Sequence, residues 1–376
     1  MKGLKILDLR DSPWVDGPGR TILDCAVSLR EKEYDVIIAI FNGGQDTAGA
    51  YAEEAMRRGL MVKTIKERGR FDYQIVRQLT SLIDELNPDV VHTHDFRSNI
   101  FGLIAAFLRG KPVVSTVHGW IANDIKGKVY VFIDKIALRF FNLIITVSDR
   151  TRRLVEKTGV PKAKIAVISN ALRLDQYVID RSASTFRQEL GVKPHTALIA
   201  CIGRLSPEKG QQEFLMAARE LAREFEHVKF VLIGIGPTKE QLERYVVEKG
   251  LSEQVVFCGY RSDMINIYNG VDLVVQSSYT EGMPNVVLES LLMEVPVVAT
   301  DVGGTGEIIE AGKSGVLIKP GSVNALVEQI GNFLRNPSMF RDMARVGRQI
   351  VEEKFDHRRR VEKLAGIYRE VAHQYN

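Results

Sequence analysis

Two carboxylates eight positions apart, Glu281 and Glu289, lie in the segment QSSYTEGMPNVVLE at 276–289. One carboxylate can accept two hydroxyls of a diol at once, so the pair suits a polyol such as a sugar or a ribose. The apolar run 271–275 before them reads as a buried strand. Gly282 and Pro284 then punctuate a turn, and Val287, Leu288, Leu291 and Leu292 open a helical pattern. Pro284 suits the first helical turn, where its missing N–H has no partner to lose. The N–H groups of that turn, backed by the positive end of the helix dipole, make a cradle for hydroxyls or an anion.

A second set lies in GRLSPEKG at 203–210, again after a strand and before a helix. Arg204 offers a planar fork and Lys209 a compact charge, a combination that can clamp one diphosphate. Cations at a helix start oppose its dipole unless an anion sits there. The same two charges would neutralise a diphosphate as it leaves. The sequence contains no Asp-x-Asp, so a metal-held diphosphate is not implied. Three histidines end strands of the first half. His118 follows 113–117, while His92 and His94 alternate onto one side of their strand, with Asp95 next. No third or fourth ligand at zinc spacing accompanies them. His92 and His94 read either as lining the acceptor side of a cleft or as core packing. Glycines mark three further strand-end loops: Gly17 and Gly19 around Pro18, Gly234 and Gly236, and Gly259 before Tyr260. Gly lets a backbone approach a ligand closely, though each could also be a plain turn.

Strand and helix patterns alternate along the chain, which implies parallel βαβ units with right-handed crossovers. Strands are expected near 4–9, 36–41, 89–92, 113–117, 143–147 and 165–168, then 198–202, 230–233, 255–257, 273–276 and 297–299. Helices fill most of the intervals. The pattern breaks over 170–194, which reads as a linker with one short helix around 184–190. Three helical segments without strands, 323–334, 338–351 and 358–373, finish the chain. A length of 376 residues fits two domains, and in such sheets ligands bind outside the carboxyl ends of the strands.

Composition is that of an ordinary globular protein, 45% hydrophobic and 26% charged. The net charge of +4 is uneven: residues 1–175 carry the basic excess. That suits an anionic partner such as a lipid surface, a phospholipid-linked acceptor or an acidic glycan, and no motif points to nucleic acid. Cys25, Cys201 and Cys258 lack metal spacing and read as reduced core residues of a cytoplasmic protein. No signal-like N-terminus or membrane-spanning run is read. Lys126, Lys128, Lys135 and Arg139 edge an apolar helix over 128–141. It reads either as a core helix with a basic edge or as an amphipathic surface for anionic lipid.

The chain resembles the retaining glycosyltransferases of family 4, which have the GT-B fold. EGMPNVVLE fits that family's Glu-x7-Glu motif, GRLSPEKG its G-R-L-x-x-x-K-G motif, and Gly303, Gly304 and Glu307 the glycines and Glu beside its sugar pocket. The resemblance spans essentially the whole chain. It implies an α/β protein of two Rossmann-like doubly wound domains facing across a cleft. Residues 1–178, with a C-terminal helix 356–376 crossing back, would bind the acceptor, and 179–355 the nucleotide sugar.

The same resemblance assigns roles. Glu281 and the backbone of Gly282, Met283, Pro284, Asn285 and Val286 would hold the donor sugar, and Glu289 the ribose. Arg204 and Lys209 would stabilise the leaving diphosphate. His118 would touch the sugar and orient it, and Gly19 would offer an N–H to the diphosphate or acceptor. The family's usual first loop has two adjacent glycines and an acidic residue, whereas here Pro18 separates them and Arg20 follows. Gly234 and Gly236 would lie near the nucleotide, with Gly259 and Tyr260 at the base edge. Loops 43–49 and 68–72 would reach the acceptor.

The activity implied is metal-independent and cofactor-free transfer of a hexose-type sugar from a nucleotide-diphosphate sugar to a hydroxyl on a lipid-linked or glycan acceptor, in polysaccharide or glycolipid synthesis. It would take place in the cytoplasm or at the inner face of the membrane, through a peripheral membrane contact. Alternatives are a UDP-sugar epimerase of GT-B fold, a sugar-phosphate phosphorylase, for which no pyridoxal-phosphate lysine motif is seen, and a non-catalytic sugar-nucleotide-binding subunit.

Overall fold

The computed structural model describes residues 3–42, 49–67, 69, 72–120 and 125–375. Most of the two expected acceptor loops, at 43–48 and at 68, 70 and 71, lies outside these residues. The chain forms two compact units, Met1–Ala171 with His357–Asn376, and Leu172–Asp356.

The first unit runs β1 (Lys5–Arg10), α1 (Gly17–Glu31), β2 (Asp35–Asn42), α2 (Ala50–Arg57), β3 (Met61–Lys66), α3 (Gln74–Leu86), β4 (Val90–Thr93), α4 (Phe96–Leu108), β5 (Val113–Val117), α5 (Ile125–Ala137), β6 (Leu143–Thr146), α6 (Asp149–Glu156) and β7 (Ile165–Val167). Its strands form one seven-stranded sheet in the order β3-β2-β1-β4-β5-β6-β7, every pair parallel. Alternate side chains feed opposite faces. Ile6, Ile38 and Ile40 pack with α1 and the C-terminal helix, while Leu7, Leu9 and Ile37 pack with α3 and α4.

The second unit runs α7 (Phe186–Glu189), β8 (Ala197–Ile202), α8 (Gln211–Glu224), β9 (Val228–Ile233), α9 (Lys239–Glu248), β10 (Val255–Phe257), α10 (Met264–Gly270), β11 (Leu273–Gln276), α11 (Asn285–Leu292), β12 (Val297–Thr300), α12 (Thr305–Ile308), β13 (Val316–Ile318), α13 (Val323–Arg335) and α14 (Pro337–Lys354). The six-stranded parallel sheet has the order β10-β9-β8-β11-β12-β13. Both sheets are thus doubly wound, with the strand order reversing between β1 and β4 and between β8 and β11. That crevice is where such sheets hold ligands. The last helix, α15 (His357–Tyr375), belongs to the first unit and buries Val361, Leu364, Tyr368 and Val371 in its core.

Three details differ from the sequence reading. The boundary falls after Ala171 rather than at 178, because Leu172 is already tied to the end of α14. Its N–H donates to the Phe355 carbonyl at 2.9 Å, and further on Asp180 N–H donates to Asn269 Oδ1 at 3.0 Å. Two strands are additional, β3 and β13. Both are edge strands, and in β3 only Ile65 is buried. Finally, α5 is not a core helix. It buries only Asp134 and Ala137, and Asp134 is fixed by Asn99 Nδ2 at 2.7 Å and Trp120 Nε1 at 2.8 Å. Its apolar stripe, Ile125, Val129, Phe132, Ile133 and Ile136, faces outward.

Candidate functional site

The loops after β8 and β11 leave neighbouring strands at the reversal point of the second sheet. They bring together residues that lie 72 positions apart: Lys209 Nζ is 2.6 Å from Glu281 Oε1. The same oxygen accepts Ser278 Oγ at 2.7 Å and Gln276 Nε2 at 3.2 Å. Gln276 in turn accepts the Thr300 N–H at 3.2 Å, and the Thr300 hydroxyl donates to the Ser278 carbonyl at 2.6 Å. Glu281 is therefore held from β11 and β12 through one oxygen. Oε2 takes no hydrogen bond among the described residues.

Arg204 is half exposed and pairs with Glu208 Oε1 at 2.6 Å, an oxygen that also accepts the Ser206 hydroxyl at 2.6 Å. The buried carboxylate holds one arm of the guanidinium and leaves other N–H groups outward. The helix start at 203–210 thus carries two anchored cations, one on a buried carboxylate and one on Glu281. Glu289, in the second turn of α11, is buried and accepts the hydroxyl of Tyr268 at 2.7 Å. Pro284 is the residue before α11 rather than its first turn, with extended ψ of 111°.

Backbone packing sets these loops. Gly210 has φ +65°, and a Cβ there would lie 2.1 Å from the Ser277 carbonyl, so the Lys209 loop rests directly on the β11 loop. Gly303, at φ +53°, would put its Cβ 2.0 Å from the Glu281 carbonyl, and Gly304 N–H donates to the Gly282 carbonyl at 2.6 Å. Gly234 and Gly236 abut the Gly203 and Leu205 carbonyls, at 2.0 and 2.2 Å from an added Cβ. Gly234 N–H also donates to the Gly259 carbonyl at 2.8 Å. The expected nucleotide-side glycines are thus stitched into one surface at the carboxyl ends of β8, β9 and β10. Tyr260 stands out from it, 58% exposed. Met283 packs under Gly304, its Cε 2.8 Å from where a Cβ would be. Asn285 and Val286 open α11.

In the first unit the corresponding reversal point gathers Asp8, Arg10, His92 and His94. Arg10 is buried between Asp16 at 2.8 Å and Asp95 at 3.6 Å and lies over the Tyr51 ring. Asp16 caps α1 by accepting the Gly19 N–H at 2.8 Å. The Gly19 N–H expected to meet a ligand is therefore already bonded within the protein, a correction whose cause is the helix cap. His92 is also corrected. It is 2% exposed, with Nδ1 2.6 Å from Tyr368 Oη and Nε2 2.8 Å from Thr116 Oγ1, so it packs in the core. His94 Nε2 meets Asp8 Oδ2 at 3.1 Å, and its Nδ1 lies 3.4 Å from His118 Nε2. Burial raises Asp8 to about 6 and pushes His92, His94 and His118 well below the usual histidine range. Asp8, His92 and His94 are close enough to share a metal ion, but His92 already has both nitrogens engaged. Arg10 and Arg360 add positive charge beside the group.

Asp8, Glu208, Gln276, Thr300 and Tyr268 were not picked out from the sequence. Gln276 and Asp8 had one signal, a polar residue breaking an apolar strand; the partner of Glu289, 21 residues away, had none.

Two family models match the chain, Glycosyltransferase Family 4 over residues 15–176 and Glycosyl transferases group 1 over residues 182–350. Among curated relatives, the UDP-Gal:alpha-D-GlcNAc-diphosphoundecaprenol alpha-1,3-galactosyltransferase of Escherichia coli is 24% identical, over 97% of this chain and 96% of that protein. The capsular polysaccharide biosynthesis glycosyltransferase CapM of Staphylococcus aureus is 26% identical, over 79% of this chain and 80% of that protein. Among solved structures, Anabaena Alr3699/HepE in complex with UDP and glucose has the same fold. Its TM-score is 0.87 at 23% identity, covering 98% of this chain and 100% of that one.

Proposed function

Because the chain belongs to glycosyltransferase family 4 and has the GT-B architecture of two Rossmann-like domains, we propose that it transfers a hexose from a UDP-sugar to a hydroxyl of a lipid-linked glycan, with retention at the anomeric carbon and without a metal ion. The observation that carries this reading is the Lys209–Glu281 contact of 2.6 Å, which sets a diphosphate-seeking cation beside a hydroxyl-seeking carboxylate. An ammonium has three N–H groups, and the one on Glu281 leaves two for phosphate oxygens. Arg204 supplies the second charge on the leaving diphosphate, and fixed cations of this kind do the work a divalent ion does elsewhere. Glu281 Oε2 and the start of α11 hold the sugar, Glu289 the ribose, and His118 orients the donor. The acceptor's proton passes to the leaving phosphate oxygen on the same face, so no protein nucleophile is assigned.

UDP and a hexose are favoured by the donor in the name of the E. coli relative and by the ligands of the Anabaena structure. A lipid-linked acceptor is favoured by that same relative's name and by the outward apolar stripe of α5. The proposed place of action is the cytoplasmic face of a membrane, reached by surface docking. Among the described residues, no helix is long and apolar enough to cross a bilayer.

The test is UDP release by the full chain from UDP-glucose and UDP-galactose, with and without a polyprenyl-diphosphate-linked sugar acceptor. A thermal-shift panel including GDP- and ADP-sugars checks the base, since bound ligand stabilises according to its affinity. Glu281→Ala and Lys209→Ala should each lower kcat by about 10²–10³-fold with the fold intact. Wild-type rates in either would remove the assignment. EDTA should leave the rate unchanged, and NMR of the product should show the donor's anomeric configuration.

A further inference from the structure

Asp8 on β1 and His94 after β4 have no part in the chemistry described so far, yet they form a hydrogen-bonded chain ending on His118. Such a chain has a direction, and a carboxylate fixes it, because an ionised carboxylate only accepts. Asp8 Oδ2 lies 3.1 Å from His94 Nε2, so that nitrogen carries the proton of the neutral ring. His94 Nδ1 is then a bare lone pair. It faces His118 Nε2 at 3.4 Å and can only accept from it. His118 therefore holds its proton on Nε2, which leaves Nδ1 bare. That atom is buried and has no hydrogen-bond partner among the described residues.

We propose that Asp8 and His94 are positioning residues that lock His118 in the Nε2–H tautomer and leave Nδ1 as its one hydrogen-bond acceptor. The effect of the lock on transfer rests on the reading that His118 orients the donor; the lock itself does not. The protonation states agree with this direction. Asp8, raised to about 6, is ionised at pH 8, and both rings are held neutral by burial. Among the described residues, the Arg10 and Arg360 guanidiniums oppose protonation of either ring, His92 lies 3.8 Å from Asp8, and Tyr51, Tyr368, Cys25 and Asp95 are also within electrostatic reach of Asp8. Which ring nitrogen carries the proton follows from the bond the other one makes, and a wrong tautomer disables a histidine without moving it.

The experiment is a two-bond proton–nitrogen correlation spectrum of the full chain labelled with ¹⁵N-histidine at pH 8, with His118 assigned by its absence in His118→Ala. The expected wild-type pattern for His118 is a protonated Nε2 and a bare Nδ1. In Asp8→Leu and in His94→Leu, with circular dichroism confirming the fold, the pattern should relax to a mixture of tautomers. Transfer should then fall about tenfold or more, the scale on which losing a group that orients a working histidine acts. If Asp8→Leu does not fold, the wild-type spectrum and His94→Leu decide. A wild-type His118 protonated on Nδ1, or an unchanged pattern in the folded variants, overturns the proposal. Wild-type transfer by His118→Ala would instead overturn the donor-contact reading while leaving the tautomer lock measurable.

Discussion

Lys209 and Glu281 show why single residues in the second unit can be read for chemistry. Each neutralises the other, and each keeps part of its hydrogen-bonding capacity unfilled. Their types were legible in the sequence because Arg, Lys and Glu at those spacings have few other reasons to stand at strand ends. Their support was not legible, since Gln276, Ser278 and Thr300 meet Glu281 or one another only once β11 and β12 are side by side. Asp8 shows the opposite economy: a carboxyl fully buried among apolar strands, raised from 3.8 to about 6 by desolvation. A group bound more tightly to its proton in the folded state contributes stability below about pH 4, and that contribution is lost as pH rises through about 6. The full difference is about 3 kcal/mol for a shift of this size. Asp8→Asn removes the titration. The stability of the variant relative to wild type should therefore rise by about 2 kcal/mol between pH 4 and pH 7. Both tryptophans, Trp14 and Trp120, lie in the first unit, so urea unfolding followed by their fluorescence reports this unit. A pH-independent difference would mean that Asp8 titrates at its ordinary value in the folded protein.

At the scale of elements, the interior strands were evident because parallel strands buried on both faces read as continuous Val and Ile runs. Edge strands are less constrained: β7 and β10 still read as short apolar runs, whereas β3 carries Lys63, Thr64 and Lys66 and buries only Ile65, and β13 is only three residues long. The loops were legible as glycine-rich and no further: nothing in GRLSPEKG states that Gly210 rests on Ser277, or in VGG that Gly303 rests on Glu281. These contacts make a sharp prediction. Gly250 and Gly210 have nearly equal φ, +68° and +65°, but an added Cβ meets nothing at Gly250 and the Ser277 carbonyl at 2.1 Å at Gly210. Gly250→Ala should cost only the left-handed backbone penalty, about 1 kcal/mol, and leave transfer intact. Gly210→Ala must also push the Lys209 loop off β11, so it should destabilise more and lower kcat by parting Lys209 from Glu281. Equal melting shifts and equal rates in the two variants would show that the loop contact does not position the cation.

At the scale of the whole molecule, the surface of the first unit carries a feature that folding alone does not require. Phe107 on α4 is 83% exposed, and Phe132 on α5 is 65% exposed, in line with Ile125, Val129 and Ile136. Exposed Lys126 and Lys128 lie on the same helix. A helix that buries two of its thirteen residues and exposes its apolar side is out of place in water. It suits the interface of an anionic bilayer, where apolar side chains enter the acyl boundary and each nearby cation adds about 1 kcal/mol. The sequence left this helix open between a core element and a lipid surface, because apolar content says how much is buried and not by what. Phe132→Glu removes roughly 2 kcal/mol of apolar transfer and adds a charge that the bilayer disfavours. Binding to vesicles of anionic phospholipid should therefore fall by more than tenfold, measured by co-sedimentation, while UDP release from donor without acceptor stays at the wild-type rate. Phe107→Glu should weaken binding in the same way, and raised salt should weaken the wild type through Lys126 and Lys128. If the wild type co-sediments no better with anionic than with neutral vesicles, the exposed stripe of α5 has another partner, and the proposed lipid-linked acceptor must reach the protein without it.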